Sequence, residues 1–478
     1  MSAFFADQPL SSALRPHQTR LFLPAEEKYL YTATHFVESV ARASGMPDTE
    51  GAAALSLAAE EVFMHLCQTV CPGKPIEFTC VDEGFLVRLE CRFSAEDIDF
   101  RPFNLAWKAS TDSEEDLQQI GLLIAARNVD RFRLRLESGH QIVLLLEKEK
   151  MYPCLATDPA PDVCGVSQSS DGPEISHMDA DVQAEKSADL RHFPGKDVDL
   201  SRQNTPVQGD VRIRVPKPEE ITHFARSVWK AFPGKALPAF FSYPGKMADM
   251  VANGSFSAAL AVDATDRILG GLLWKSGNAQ IVEFFGPFTY PVSCNISEQL
   301  LEFCINTIAR GTAAGMLTTW PVPGFPKASF ESLNSSSTAW FRSLREDLGR
   351  SIWSHPGFEA YLRAEYERLA LSRELRPVTE DKTRLSGYSV LSWEFNRGQS
   401  RADLRFIWPG GDLEENLRRH VELLLKENLK RVRITVDVGE AWHVATVPAL
   451  LALGFAPEML LPFAGTSDEV IFSRDLHA

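Results

Sequence analysis

The chain of 478 residues has no long apolar run, no strongly basic patch and few cysteines. None of its segments approaches the roughly 18 uninterrupted apolar residues that predict a membrane-spanning helix. The opening residues, MSAFFADQPL, also lack the charged, apolar and small-residue order of a signal peptide. We therefore expect a cytoplasmic protein that has no membrane partner.

Positive charge is the scarcer sign in this sequence. The 49 Lys and Arg residues against 64 Asp and Glu residues give a net charge of −15 at pH 7, which repels the phosphodiester backbone of nucleic acids. Nucleic acid is therefore not expected as a partner. The eight cysteines are too sparse for a disulfide scaffold and match no zinc-ligand spacing, so no metal site is predicted.

The sequence has enough apolar material for several cores. Hydrophobic residues make up 44% and aromatic residues 10% of the chain, and the length favours about three domains. Residues 151–210 interrupt this pattern, because Pro, Ser, Asp and Gly dominate them without an apolar period. We predict an N-terminal extension over residues 1–20, a domain over 21–150, a flexible linker over 151–210, and two lobes over 211–370 and 371–478.

Residues 55–68, LSLAAEEVFMHLCQ, have apolar residues at three- and four-residue spacing and predict an amphipathic helix. Glu61 and His65 lie one turn apart on its polar side. The elements around this helix are predicted in the order helix, helix, hairpin, helix, hairpin.

This order and these residues resemble the ATP-binding domain of the anti-sigma-factor serine kinases, in the wider histidine-kinase-like (GHKL) ATPase class. The resemblance implies an α/β sandwich. In that family a Glu of the helix orients a water, and an Asn four residues further on holds Mg²⁺ against the triphosphate. Glu61 matches the Glu, and His65 occupies the Asn position. Gly121 in GLLIAARNVD matches the glycine-rich stretch, whose partner glycine is replaced by Gln119.

Three further positions depart from this resemblance. The family places Asp-x-Gly-x-Gly after a hairpin strand, where the Asp reads adenine and the glycines let the backbone approach the nucleotide. This sequence has Cys91, Phe93 and Ala95 there. We therefore expect a degenerate nucleotide site that does not bind ATP–Mg²⁺. Two alternatives stay open: a nucleotide bound through altered contacts, and a plain exposed Glu–His pair on an ordinary helix.

The missing adenine-reading Asp and its glycines predict that ATP with Mg²⁺ binds weakly or not at all. Isothermal titration calorimetry on the full chain measures this. Micromolar binding that is abolished by Glu61→Ala would contradict the prediction, and it would give His65 a role in holding the nucleotide.

From residue 211 onward strands and helices alternate, as in FSAALAVDATDRILGGLLW followed by QIVEFFGPF and a long helix. A second, partial copy of this order ends in LGF at residues 453–455. Both halves are similar to the core of the GNAT acyltransferases. The chain is therefore predicted to be an α+β multidomain protein, in which a GHKL-type α/β sandwich and a flexible linker precede two GNAT-like α/β lobes.

The resemblance to GNAT enzymes implies three features. These are a glycine-containing loop at a helix N-terminus for the CoA pyrophosphate, a base for the amine proton, and a Tyr that protonates the thiolate. Glu283 occupies the strand position of the base, although a solvent-facing Glu on a strand is the alternative. Leu450 stands at the Tyr position of the second copy.

Gly410 and Gly411 in WPGGDLEEN are placed to let backbone amides approach a phosphate. The helix start that follows carries Asp412 and two Glu residues, whose negative charges oppose an anionic ligand. Asp412 is predicted to cap this helix. An acyl-CoA would place its pantetheine along the strand of Glu283, which is the preferred location, or its pyrophosphate near the two glycines.

Two functions are compatible with this sequence. The missing phosphate loops favour a regulatory protein that binds a protein partner or a small ligand through degenerate domains. The intact order of elements favours the alternative, an N-acyltransferase that transfers an acyl group from acetyl-CoA or another acyl-CoA to an amine. In that case the N-terminal domain would act as a sensor.

Overall fold

The computed structural model describes residues 18–47, 51–70, 73–94, 99–107, 119–137, 141–155, 211–232, 237–278, 280–290, 292–308, 313–334, 336, 338–378, 387–396, 399–427 and 429–477. These residues form mixed α/β structure with three larger β-sheets and one two-stranded sheet. Ala95, the first 17 residues and most of the predicted linker, residues 156–210, lie outside the described residues.

The described α-helices are α1 (Leu30–Ala43), α2 (Ala53–Thr69), α3 (Ile120–Asn128), α4 (Pro218–Ala231), α5 (Pro244–Ala252), α6 (Cys294–Ile308), α7 (Pro356–Arg368), α8 (Leu413–Lys426), α9 (Ala441–Val444) and α10 (Val447–Ala452). Among them, none combines the length and the apolar character needed to cross a bilayer.

The described strands are β1 (Gln18–Pro24), β2 (Pro75–Asp82), β3 (Leu86–Ser94), β4 (Arg131–Glu137), β5 (Gln141–Glu149), β6 (Arg212–Arg214), β7 (Ser257–Val262), β8 (Ile268–Asn278), β9 (Ile281–Thr289), β10 (Gly315–Thr318), β11 (Glu331–Ser332), β12 (Trp340–Ser343), β13 (Arg350–Ser354), β14 (Arg373–Pro377), β15 (Val390–Asn396), β16 (Arg401–Trp408), β17 (Arg431–Asp437), β18 (Ala456–Leu461) and β19 (Glu469–Asp475).

The N-terminal unit is a five-stranded antiparallel sheet in the order β1-β2-β3-β5-β4. Helices α1, α2 and α3 pack on it through a buried core that includes Phe63, Phe78 and Leu144. The predicted order of two helices, a hairpin, a helix and a second hairpin is present. The additional strand β1, which the sequence analysis does not predict, pairs with β2 along its whole length.

The alternation of strand β4, RFRLRLE, decides which of its side chains face the helices. Phe132 and Leu134 belong to the core beneath the helices. Arg131, Arg133 and Arg135 therefore lie on the opposite face of the sheet, at its edge strand. This outer face presents a row of guanidinium groups.

The central unit is a seven-stranded sheet in the order β11-β12-β10-β9-β8-β7-β6. Strands β9 and β10 run parallel, since α6 carries the chain from one to the other, and the other neighbours are antiparallel. Helices α4 and α5 share a buried core with Phe285 and Phe288 of β9. Helix α6 packs on the other face, against Phe284.

The C-terminal unit is a five-stranded sheet in the order β15-β16-β17-β19-β18. Strands β16 and β17 run parallel and are joined by α8. Strands β13 and β14 form a second parallel pair, joined by α7. The ring of Phe358 in α7 packs 5.6 Å from that of Phe472 in β19, so the segment between the two sheets shares the core of the C-terminal sheet.

Asn104 joins the N-terminal unit to the C-terminal unit. Its side-chain nitrogen donates to the carbonyl of Ser389 over 2.8 Å. Its oxygen accepts from the backbone N–H of Leu391 over 2.9 Å and from Asn416 Nδ2 over 3.1 Å. Because Asn104 is buried, these bonds replace the water that its amide loses on folding.

A buried ion cluster joins the segment between the two sheets to the C-terminal sheet. The guanidinium of Arg373 lies 2.6 Å from Asp468 Oδ2 and 2.5 Å from Asp347 Oδ2. Tyr366 donates its hydroxyl to Asp468 over 3.0 Å. Loss of Arg373 would leave two buried carboxylates uncompensated, so the cluster fixes these segments relative to one another.

His420 in α8 is fully buried, and its Nδ1 lies 2.8 Å from the carbonyl oxygen of Asn416. Burial lowers the pKa of His420 from 6.5 to about 4. As the pH falls, the unfolded chain therefore binds this proton before the folded chain does. The free energy of unfolding should decrease between about pH 6.5 and pH 4.

The variant His420→Gln does not titrate in this range and can still donate to Asn416. It should lose less stability than wild type over the same interval, by up to about 3 kcal/mol. Urea unfolding at about pH 7 and about pH 4 measures the difference. Equal losses in both proteins would contradict the role of His420.

Candidate active site

A cleft of about 1990 Å³ lies where the three units meet. The N-terminal unit contributes the outer face of β4, the central unit contributes Lys275 and Trp320, and the C-terminal unit contributes β16, β17 and the loops after them. The volume exceeds the roughly 300–1,000 Å³ of an ordinary small-molecule site. It is large enough for a ligand of the size of a coenzyme.

The gap between two parallel strands forms part of this cleft. Backbone pairing of β16 with β17 ends at Arg405 opposite Thr435. Beyond that pair the strands continue to Trp408 and Asp437, and both of these ends line the cleft. The cleft therefore borders the ends of both strands, beside the rings of Phe406 and His443.

Asp437 organises the loop at the end of β17. Its carboxylate accepts hydrogen bonds from the backbone N–H groups of Gly439 at 2.8 Å and Thr466 at 2.7 Å, and from Thr466 Oγ1 at 3.1 Å. A side chain at Gly439 is excluded, because its Cβ would lie 2.8 Å from the backbone nitrogen of Ser467. This loop leads directly into Glu440, which lines the cleft.

Glu440 has the properties of a general base. Burial, followed by the negative charge of Asp437, raises the pKa of its carboxyl from 4.5 to about 7. A carboxyl with this pKa exchanges protons near neutral pH. Burial also raises the pKa of Asp437, although hydrogen bonds from Gly439, Thr466 and Ser467 act against the shift.

His443 and Trp442 form one wall of the cleft. The His443 Nδ1 accepts the backbone N–H of Asp437 over 3.0 Å, which assigns the proton of the neutral ring to Nε2. Burial, followed by the positive charge of Arg405, lowers the pKa of His443 to about 3, so the ring stays neutral. The Trp442 ring lies 4.0 Å from that of His443 and 6.4 Å from that of Phe406.

The predicted glycine loop also lines the cleft, at the start of α8. Gly410 is buried against the backbone of Tyr388, where a Cβ would overlap the carbonyl group. Gly411 is exposed. Asp412 precedes α8 as predicted, but its side chain does not cap the helix. Its carboxylate instead accepts from the N–H and the hydroxyl of Ser389, at 2.6 and 2.8 Å.

The acidic start of α8 is compensated within the helix. Glu414 pairs with Arg418 at 2.9 Å, and Glu415 pairs with Arg418 at 2.5 Å and with Arg419 at 3.0 Å. The Asp412 carboxylate is engaged by donors elsewhere. These negative charges therefore oppose a phosphate at this helix start less than the sequence alone suggests.

Glu283, the base predicted from the sequence, lies on β9 opposite Lys275 of β8. The two side chains form an ion pair at 2.9 Å. The negative charge of Glu283 also contributes to the raised pKa of Glu469, a residue of the cleft. Glu283 is therefore close to the cleft, and its role as a base stays a prediction.

The parallel pair of the central sheet is covered by protein. Its pairing ends after Glu283, and the next residue, Phe284, stacks on Phe325 of the loop after β10 with ring centroids 6.1 Å apart. Gly324 of that loop lies against Val292 before α6, since a Cβ would be 2.8 Å from Val292 Cγ1. This loop therefore covers the N-terminus of α6, beside β9, the strand along which pantetheine is predicted to lie.

The predicted nucleotide residues Glu61, His65 and Gly121 lie on α2 and α3 of the N-terminal unit, and the described lining of the cleft includes none of them. Glu61 and Gly121 meet, because a Cβ at Gly121 would be 2.5 Å from Glu61 Oε2. Burial lowers the pKa of His65 to about 4, against the opposing charge of Asp99. Its two ring nitrogens have no hydrogen-bond partner among the described residues.

The interpretation of Glu61 and His65 as an exposed pair is wrong for His65, which is 7% exposed. Its ring packs inward because α2 lies between α1 and α3 rather than at a free surface. Cys91 and Phe93 are also core residues, at 0% and 1% exposed. Two of the three positions of the missing adenine motif are thus filled by packing side chains.

The sequence alone does not single out Glu440. The signal that it offers is the acidic pair in VDVGEAW, directly after a strand, because the carboxyl ends of parallel strands gather side chains at one edge of a sheet. The arginines of β4 are missed for another reason. Nothing in the local sequence indicates that β4 lies beside β16.

Comparisons with solved structures find partial likenesses to acetyltransferases. A GNAT-family acetyltransferase from Staphylococcus aureus Mu50 is 16% identical, with a TM-score of 0.24, over 28% of this chain and 100% of that one. The GNAT-family N-acetyltransferase YhbS from Escherichia coli, in complex with CoA, is 12% identical, with a TM-score of 0.24, over 38% of this chain and 96% of that one.

An aminoglycoside 6′-N-acetyltransferase from Enterococcus faecium is 8% identical, with a TM-score of 0.20, over 56% of this chain and 98% of that one. No protein-family description and no curated protein matches the chain. At these TM-scores the likenesses establish no fold for the whole chain.

The variant Asp437→Asn replaces one acceptor oxygen by a donor that faces N–H groups. We expect a loss of about 1–3 kcal/mol in the free energy of unfolding. The pKa of Glu440 should also fall, because a neighbouring negative charge is removed. Urea unfolding and NMR titration of the carboxyl measure the two effects.

Asp403→Asn is the matched control for this variant. Asp403 lies on the neighbouring strand and pairs with Arg401 at 2.9 Å, with its side chain 35% exposed. Its loss should cost less than about 1 kcal/mol. Equal costs for the two variants would show that Asp437 does not organise the loop.

Proposed function

We propose that the protein is an N-acyltransferase whose site lies in the cleft between β16 and β17. The observation that carries this proposal is the divergence of two parallel strands beside Glu440, a half-buried carboxyl whose pKa is about 7. A slot for an extended ligand and a proton acceptor thus lie in one unit of the chain.

The topology supports the resemblance of both C-terminal sheets to GNAT lobes. Each has one parallel pair joined by a helix, β9–α6–β10 and β16–α8–β17, preceded by antiparallel strands. In this proposal the first lobe is closed and the second is open. The structural neighbours are named as acetyltransferases, which agrees with the proposed activity. Their TM-scores of 0.24 and below are too low to support it.

The cleft suits an acyl-CoA in one orientation. Pantetheine would extend through the slot between β16 and β17. The pyrophosphate would lie near Gly411 at the N-terminus of α8, where unpaired backbone N–H groups and the helix dipole favour an anion. Arg133 of β4 lines the same cleft and adds positive charge. The second of the two locations predicted from the sequence is therefore the one that we propose.

In the proposed reaction, Glu440 accepts a proton from the ammonium group of the acceptor. The amine nitrogen then attacks the thioester carbonyl, so that the C–N bond forms and the C–S bond breaks. The second proton that the nitrogen loses as the amide forms passes through water to the departing CoA thiolate, and Glu440 releases its own proton to solvent. Leu450, at the Tyr position of the resemblance, is fully buried and supplies no acid.

A regulatory protein that binds a protein partner or a small ligand is the second candidate. The observation that favours it is the N-terminal unit, where Cys91 and Phe93 are core residues at the place of an adenine-binding motif. A kinase-like domain of this kind would have no catalytic role of its own. Under this hypothesis acetyl-CoA would not be turned over with any amine.

Acetyl-CoA turnover with a panel of primary amines tests the proposed function. Because the pKa of Glu440 is raised to about 7, its basic form is lost as the pH falls below that value. We expect kcat/KM to rise with pH through about 7. Glu440→Gln should lower kcat by roughly 100-fold or more and remove this dependence.

Glu283→Gln is the matched control, since it neutralises the other candidate base. It should leave kcat within about threefold of wild type if Glu440 is the base. A large loss in Glu283→Gln with normal activity in Glu440→Gln would transfer the role to Glu283. No stabilisation by acetyl-CoA in a thermal-shift assay and no turnover would overturn the proposal in favour of the regulatory protein.

A further inference from the structure

Tryptophan is concentrated around the cleft. The chain has nine tryptophans, and the half-buried ones that line this single cavity are Trp320, Trp353, Trp393, Trp408 and Trp442. Each of these rings packs against one of the hydrophobic cores and also borders the cavity. The cavity therefore offers apolar ring surface to a ligand.

Two of these rings flank the end of β17. Trp353 is held there by its backbone N–H, which donates to the carbonyl of Val438 over 2.7 Å. Trp442 follows Glu440 by two residues and packs 6.4 Å from Phe406, between ring centroids. The indole nitrogen of Trp442 is buried and has no acceptor in the described part of the chain.

The charge at this end of the cleft is negative. Asp437 is engaged by N–H donors, and Glu469 lies 3.5 Å from Arg405. Glu440 differs from Glu469, because the charge that most affects the pKa of its carboxyl is the negative one of Asp437, while the Thr466 side chain donates a hydrogen bond to it. A ligand cation bound here would be stabilised by the negative charge of Glu440 and by the faces of two indole rings.

We infer that the acceptor is a small primary amine attached to an aromatic or large aliphatic body, with its ammonium beside Glu440 and its body on Trp353 and Trp442. This inference rests on the proposed function, which requires an amine but does not specify its body. A cation next to an indole is stabilised by the ring quadrupole, and Trp is the most effective residue for this contact. The apolar body buries its surface on the same rings.

Binding of simple probes to the full chain, without acetyl-CoA, tests the inference. The probes are 2-phenylethylamine, its neutral counterpart 2-phenylethanol and the anion 3-phenylpropionate, each titrated by calorimetry at about pH 8, where Glu440 is ionised. We expect the amine to bind at least about tenfold more tightly than the alcohol. The anion should bind more weakly than the alcohol.

Trp442→Leu should weaken binding of 2-phenylethylamine by about fivefold or more. Trp229→Leu is the matched control, because Trp229 lies on α4 of the central unit and does not line the cleft, and it should bind the amine as wild type does. Trp442→Phe keeps an aromatic ring and should give an intermediate affinity. This second variant preserves the test if the Leu variant does not fold.

Equal binding of the amine and the alcohol, or unchanged binding by both Trp442 variants, would overturn the inference. Its failure differs from that of the proposed function. Binding of acetyl-CoA without selectivity for the aromatic amine removes the inference alone. Selective amine binding without any binding of acetyl-CoA supports only the amine site and removes the acyltransferase.

Discussion

The amide of Asn104 exchanges hydrogen bonds with the backbone at Ser389 and Leu391, and the whole cleft depends on that junction. Both polar ends of a buried amide need partners, so the N-terminal unit has one position relative to the start of β15 in which this group is satisfied. Asn416 of α8 donates to the same oxygen. The junction therefore aligns β4, β15 and the first turns of α8, which are three walls of one cavity.

This junction also explains the local structure of the glycine loop. Ser389 donates to Asp412 and thereby draws that carboxylate away from the helix start. Gly410 lies against the backbone of Tyr388, where no side chain fits. The approach of the N-terminal unit thus determines how the loop before α8 is arranged. The N-terminal unit is therefore part of the wall of the cleft, independently of any ligand at its own helices.

The sequence predicts elements well where one period governs a segment, as in α2 and in the alternation of β4. It does not predict contacts such as that of Asn104 with Ser389, which lie 285 residues apart. The resemblance to GNAT enzymes points from the sequence to Glu283 on β9 as the base, but it does not point to Glu440. Its character comes from burial and from Asp437, and both arise only when the loop after β17 folds back on Thr466. Asp412 does not cap α8, because its carboxylate instead accepts from the N–H and the hydroxyl of Ser389, a residue distant in sequence.

The two parallel crossovers share a topology and differ in what occupies the space beside them. In the central sheet Phe284 and Phe325 fill that space with the protein's own rings, and a filled slot cannot admit an extended ligand. In the C-terminal sheet Phe406 packs against Trp442 and His443 at the corresponding place, and these rings border the cleft. The central sheet then contributes Lys275 as a wall, and the N-terminal sheet contributes Arg133. Each unit supplies one side of a shared cavity.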